Sequence, residues 1–182
     1  MVLMKSGKKL KIGDYAHDFS LIGVDGKKYS FQDFKNKPFL IIFMCNHCPY
    51  VKAKLDYINK LASEYRNRIN VIGINSNDPE NYPEDSFDNM KKIADKKNFN
   101  FLYLFDETQE VAKTYGASCT PDPFLFDKNG KLIYHGRIND QMEPSDKVTE
   151  HDMKKVFGYV LNDKKIDFEI FPSVGCSIKW KG

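Results

Sequence analysis

The sequence predicts an α/β fold organised around a central β-sheet. Three observations carry that expectation. Strand-like and helix-like patterns alternate along the chain. The run Phe39-Leu40-Ile41-Ile42-Phe43-Met44 is apolar at every position, as in a strand buried on both faces. A helical pattern follows it directly, separated from the run only by Cys45-Asn46-His47-Cys48.

Asp14 to Ile22 reads as a loop and a short strand. Val24-Asp25-Gly26-Lys27 is a turn, because Asp-Gly supplies the positive φ of a hairpin. Ser30 can cap a short helix through Phe34, and Pro38 to Met44 forms the central strand. From Pro49 to Tyr65, apolar residues at Val51, Leu55, Ile58, Leu61 and Ala62 keep helical spacing. Ile69 to Asn75 is a second buried strand. The loop Ser76 to Asp85 is rich in Asn, Asp and Pro, and Asp85 or Ser86 can cap a helix to Lys97. Phe101 to Phe105 is a strand, and Thr108 to Tyr115 is a helix ended by Gly116. Pro123 to Phe126 and Lys131 to Arg137 form a hairpin across Asp127-Lys128-Asn129-Gly130. Asp146 to Leu161 is the last helix, and residues 163–182 form a tail.

At 182 residues, with 41% hydrophobic and 14% aromatic residues, the chain is long and apolar enough for one domain with a substantial core. No repeat, low-complexity tract or linker divides residues 1–182. The net charge of +3 gives no reason to expect a nucleic-acid partner. The basic stretch Lys5 to Lys11 reads as a solvated, partly mobile N-terminus. No apolar run approaches the ~20 residues of a spanning helix, and Met1-Val2-Leu3-Met4 is too short for the apolar part of a secretory signal. No membrane partner is expected, and the chain reads as cytoplasmic. Composition leaves monomer and homodimer both open.

The chemistry is expected at Cys45 and Cys48. A helix N-terminus carries unpaired N–H groups and about half a positive charge, which stabilises a thiolate on Cys45. Cys48, about one turn on, can close a small disulfide with it. His47 can donate a hydrogen bond or positive charge to that thiolate. Pro49 suits the first helical turn, where its missing N–H costs nothing. Zinc would need two further ligands, and Cys119 and Cys176 are isolated in sequence, so no metal and no cofactor is expected. The acidic loop Asn77, Asp78, Glu80, Glu84 and Asp85 lacks the spacing of a calcium loop and reads as solvated, with a helix cap.

A second constellation is Cys119-Thr120-Pro121, at the start of a predicted strand. Only ~5–6% of X–Pro bonds are cis, so the residues alone argue for a trans bond there. Four blocks carry a resemblance to a known family: "MCNHCPYVKA", "INSNDPENYPEDSFDNM", "YGASCTPDPFLFD" and "GCSIKW". With the N-terminal "IGDYAHDFSLIGVDGKKYSFQDFKNKPFLIIF", they resemble the thioredoxin-like superfamily. Within it the chain is similar to the branch shared by peroxiredoxins of the AhpC/TSA (redoxin) family and membrane-tethered thiol-disulfide oxidoreductases. The resemblance covers Ile12 to Trp180 and is most specific for a peroxiredoxin-like subgroup with the CNHC motif.

That resemblance implies a thioredoxin-like fold with an N-terminal β-hairpin extension. Its mixed sheet would have four or five strands, with helices on both faces. It implies a cis Thr120–Pro121 bond facing the cysteine pair, with Cys45 as nucleophile, Cys48 as resolving partner and Pro121 positioning an incoming disulfide. The expected activity is thiol-disulfide exchange with a partner protein or a small thiol. Reduction of peroxides through Cys45 is an alternative, with Arg137 in the orienting role and Cys48, Cys119 or Cys176 resolving. The chain lacks the Pro-x-x-x-Thr-x-x-Cys of peroxiredoxins, which argues against that alternative. A metal-binding or redox-sensing module without turnover is the third reading. Cys119 is expected as a small buried residue, with a relay role as the sharper alternative. Cys176 either folds back to the site or bridges to another chain.

Overall fold

The computed structural model describes residues 3–182. In chain order its elements are β1 (Leu3–Lys5), β2 (Ser20–Gly23), β3 (Lys28–Ser30), a 3-10 turn (Phe31–Phe34), β4 (Phe39–Phe43) and α1 (Pro49–Tyr65). There follow β5 (Asn70–Asn75), a second 3-10 turn (Pro83–Asp85), α2 (Phe87–Lys96), β6 (Leu102–Phe105) and α3 (Glu110–Tyr115). The chain ends with β7 (Cys119–Thr120), β8 (Asp122–Phe126), β9 (Leu132–His135), α4 (Asp152–Leu161) and β10 (Val174–Ser177).

The main sheet has seven strands in the order β3-β2-β6-β5-β4-β8-β9, larger than the four or five expected. The β2–β3 hairpin accounts for part of the excess, because it adds to the sheet edge through Ile22 opposite Phe105. β4, β5 and β6 run parallel at the centre, and β8 runs antiparallel to β4. Central parallel strands must be covered on both faces, which is why β4 is apolar throughout. Leu40 and Ile42 face α1 and α4, through residues such as Leu55, Ile58, Val156 and Phe157. Phe39, Ile41 and Phe43 face the opposite side, against Val111, Ala112 and Tyr115 of α3 and the aromatic residues Phe31 and Phe34. The alternation of β4 side chains therefore splits the core into two clusters.

Three elements differ from the sequence expectation. The last helix begins at Asp152, because Asp146 is taken by the preceding loop, where its carboxylate accepts from the Met142 and Glu143 amides at 3.2 and 2.8 Å. Residues 3–5 form an edge strand rather than a solvated terminus, and Leu10 is buried. The tail carries β10, which lies between β1 and β7 in a separate three-stranded sheet. Its register sets Cys176 opposite Thr120 and Ser177 opposite Cys119. That small sheet brings the C-terminus onto the cysteine pair.

Candidate active site

The site grows from the end of β4. Met44 continues the strand by donating its N–H to Ile74 O at 2.9 Å, and the chain then turns through Cys45-Asn46-His47 into α1. Cys48 is the N-cap of α1, Pro49 occupies the first helical position, and the Cys48 carbonyl accepts from Lys52 N at 3.0 Å. The Cys48 sulfur therefore sits at the positive end of a 17-residue helix.

The Thr120–Pro121 peptide is cis, as the family resemblance implies. Thr120 meets both cysteines. Its Oγ1 lies 3.6 Å from Cys45 Sγ, and its carbonyl oxygen lies 3.1 Å from Cys48 Sγ. Cys176 folds back to the site, with Sγ 2.9 Å from Cys48 Sγ. All four cysteines are buried, and no disulfide links them.

Asp85 organises the turn from below. Its Oδ1 accepts the Asn46 and His47 amides at 2.7 and 3.1 Å. Its Oδ2 meets His47 Nδ1 at 2.5 Å and accepts Asn77 Nδ2 at 2.7 Å. His47 Nδ1 also lies 3.9 Å from Cys45 Sγ, and the ring stacks on Tyr82 with centroids 5.2 Å apart. Asn46 is held by Tyr103 Oη at 2.9 Å and by the Glu84 carbonyl at 2.8 Å. Cys45, His47 and Asp85 present donor atoms within 4.8 Å of one another. A carboxylate offers about four lone-pair directions, and these four hydrogen bonds use those of Asp85, leaving none for an ion.

The loop from Ser76 to Asp85 is thus not simply solvated. Asn75, Ser76, Asn77, Asp78 and Asp85 are buried. Asp78 N donates to Lys179 O at 2.8 Å, and Lys179 N donates to Asn77 Oδ1 at 2.9 Å, so the tail covers the loop. Ser86 takes the N-cap position of α2, which leaves the Asp85 carboxylate to serve the active-site turn.

Electrostatics place the charge differently from the sequence expectation. Burial pushes the Cys45 thiol well above its ordinary range, with the hydrogen bond to Cys48 and the Asp85 charge adding to the effect. Cys48 is pulled down to about 5, first by the hydrogen bond from the Cys45 thiol, against desolvation, with Cys176 and Thr120 assisting. The reduced pair therefore holds its negative charge on Cys48, and Cys45 keeps the proton. The hydrogen bond to Asp85 raises His47 above the usual imidazole range against desolvation. Burial opposes ionisation of Asp85, but the hydrogen bonds from His47, Asn77 and Asn46 outweigh it and hold the carboxyl below its ordinary range.

The other expected residues divide. Cys119 Sγ meets the Pro121 carbonyl oxygen at 3.8 Å, and burial pushes its thiol far up, so it stays protonated. Arg137 donates from Nε to Asp152 Oδ2 at 3.0 Å and packs over Phe171, so its guanidinium anchors the start of α4. In sequence, Asp85 and Asn77 read only as part of a solvated loop with a helix cap, and Tyr82 and Lys179 are not singled out. Lys54 is also buried on α1; desolvation lowers its ammonium, and the Cys48 charge raises it. The block "INSNDPENYPED" contained three of these residues, and its one readable signal was a density of amide and carboxyl groups too high for a single helix cap.

Known proteins place this geometry. The AhpC/TSA family model matches residues 12–135. The solved structure of an uncharacterized conserved protein from Geobacillus kaustophilus is 40% identical, with TM-score 0.94, over 100% of this chain and 97% of that one. The exposed lipoprotein thioredoxin Etrx1 from Streptococcus pneumoniae is 26% identical, with TM-score 0.61, over 78% of this chain and 99% of that one. The thiol-disulfide oxidoreductase ResA from Bacillus thuringiensis subsp. konkukian is 28% identical over 127 residues, 69% of each chain. With that match over most of its length, and a thioredoxin-like sheet carrying the cysteine pair at the end of its central strand, the chain belongs to the AhpC/TSA family.

Proposed function

We propose that this protein is a thiol-disulfide oxidoreductase that exchanges disulfides with a partner protein or a small thiol through Cys45 and Cys48. The observation that carries the reading is the placement of both sulfurs on Thr120, beside an imidazole held by Asp85. Relatives named thiol-disulfide oxidoreductase support it.

The charge distribution suggests the order of events. As a substrate disulfide docks, the proton on Cys45 passes to Cys48, which already shares a hydrogen bond with it. The Cys45 thiolate attacks one substrate sulfur, the substrate S–S bond breaks, and the leaving thiolate takes the proton now on Cys48. Cys48, again a thiolate, attacks Cys45 Sγ; the Cys45–Cys48 bond forms and the second substrate thiolate departs, to be protonated by solvent. His47, which its hydrogen bond to Asp85 makes harder to deprotonate, steadies the charge on Cys45 while Cys48 is neutral. The Cys45 residue is only 1% exposed, so docking must open the structure around its sulfur. We place the reaction in the cytoplasm on the sparse cysteine usage, a compartment that favours work as a reductant, whereas the charge on His47 favours work as an oxidant.

Turnover of a protein disulfide with a dithiol as electron source tests the proposal. The expected result is catalysis that disappears in Cys45→Ser and stops at a mixed disulfide in Cys48→Ser. Undiminished turnover in Cys45→Ser would overturn it. Peroxide reduction is the weaker reading, because Arg137 is committed to Asp152 and the peroxide-orienting Pro and Thr are absent from the chain.

A further inference from the structure

The exchange mechanism uses two of the three sulfurs at the site. Cys176 lies 2.9 Å from Cys48 Sγ, and bonded sulfurs sit ~2.05 Å apart, so less than an ångström of approach separates contact from a bond. The fold builds this proximity. A Cβ on Gly175 would meet Thr120 O at 2.0 Å and Thr120 C at 2.7 Å, both backbone atoms that cannot yield, so only glycine lets β10 lie this close to the Thr120–Pro121 loop. β10 is fixed on both sides. Ser173 Oγ donates to Pro121 O at 2.6 Å, and Lys179 is locked to Asn77 and Asp78.

We propose that Cys176 is a third redox-active thiol, which attacks Cys48 in the Cys45–Cys48 disulfide to form a Cys48–Cys176 disulfide and free Cys45. The inference rests on the exchange reading and extends it. The Cys48–Cys176 bond forms as the Cys45–Cys48 bond breaks, and the proton on Cys176 ends on the released Cys45. No electrons enter or leave, so no outside oxidant is needed. The oxidising equivalents move to two buried sulfurs, and the nucleophile is restored while the protein is still oxidised. Burial, the hydrogen bond to Cys48 and the Cys48 charge hold Cys176 up to about 12 in the reduced protein, whereas Lys179 pulls it down. Once Cys48 is part of a disulfide its charge is gone, and Lys179 remains. Cys176 is thereby easier to ionise in the oxidised state than in the reduced one, although burial, the largest cause of its raised value, remains.

Tryptic mapping tests the inference on the full chain. Cys45 and Cys48 share the peptide 36–52, because Lys37 precedes Pro38, whereas Cys176 lies in 166–179. Cys45→Ser and Cys45→Ala are each oxidised with glutathione disulfide, acid-quenched and digested without reductant. Most of each variant should show 36–52 joined to 166–179, with joint loss of the alkylatable thiols at Cys48 and Cys176. The linked species should vanish when Cys176→Ser is added. Wild type should show the linked pair beside 36–52 closed on itself. Glutathione on Cys48 with no linked peptide in both variants overturns the proposal and leaves the Cys45–Cys48 exchange standing. A wild type that never closes 36–52 on itself overturns the exchange reading and this inference with it.

Discussion

Two histidines in this protein each meet a buried aspartate, and the pairs behave in opposite ways. His47 and Asp85 lie 2.5 Å apart at the cysteine turn, and His135 and Asp122 lie 2.8 Å apart across β8 and β9. Asp85 accepts from two backbone amides and from Asn77 as well as meeting His47, so it stays ionised despite burial. Asp122 accepts from His135 and, at 3.3 Å, from Ser118 N, and burial wins, raising its carboxyl above the ordinary range. The rings differ too. His47 reaches a sulfur, whereas His135 stacks on Phe124 with centroids 3.9 Å apart. The number of donors turned to a buried carboxylate decides its charge, and what the imidazole faces decides whether that charge reaches chemistry.

The largest expected effect breaks that contrast directly. Asp85→Ala strips the acceptor from Asn46 N, His47 N, Asn77 Nδ2 and His47 Nδ1. Disulfide turnover should fall about a hundredfold, the range of a reacting group misplaced by about an ångström, because the turn that carries Cys45 and the His47 ring both lose their anchor. Unfolding in urea should show a loss of about 2–3 kcal/mol from the orphaned buried donors. Asp122→Ala should cost similar stability yet leave turnover within about tenfold, because that pair touches no sulfur. Equal activity losses in the two variants would erase the distinction.

His47→Gln comes next. Removing its positive charge, which the Cys48 thiolate of the reduced form also feels, destabilises that form, so the potential of the pair should move negative, by ~30 mV for each ~1.4 kcal/mol lost. In wild type the His47 pKa is raised above 6.5, so the charge persists above pH 6.5 and fades as pH climbs through the raised value. Its stabilising contribution is complete below pH 6.5 and is lost over that same rise. The variant should lack this step in a pH profile of the exchange rate.

A third prediction concerns acid. Asp85, depressed when folded, contributes stability above its ordinary value of 3.8, and that contribution is lost as pH falls through the folded value. Asp122, raised when folded, contributes below 3.8 and loses that contribution as pH rises through its folded value. Urea melts across pH 3 to 6 should therefore flatten on the acid side in Asp85→Asn and on the other side in Asp122→Asn. The smallest effect belongs to Thr120→Val, which removes the hydroxyl 3.6 Å from Cys45 Sγ and should slow exchange by a few-fold, the worth of about 0.5–1.5 kcal/mol.

The same contrast explains what the sequence revealed. The strand, the Cys45–Cys48 turn and α1 were readable because their signals are local: an apolar run, a short motif and helical spacing. Asp85 acts on Asn46, 39 positions away in sequence, and a carboxylate in a polar loop looks like a helix cap until the fold shows where it points. β10 is only Val174-Gly175-Cys176-Ser177, too short and too mixed to alternate, and its glycine looks like a breaker rather than a point of close approach. The cis peptide at Pro121 came from resemblance, since X–Pro composition argues the other way.

A redox titration tests the central claim most directly. The protein is equilibrated in graded glutathione buffers, its free thiols are alkylated, and each cysteine peptide is weighed. The account predicts a reversible two-electron transition that joins Cys45 to Cys48, at a potential between about −270 and −120 mV. Cys45 and Cys48 that stay alkylatable as thiols at every potential would contradict it.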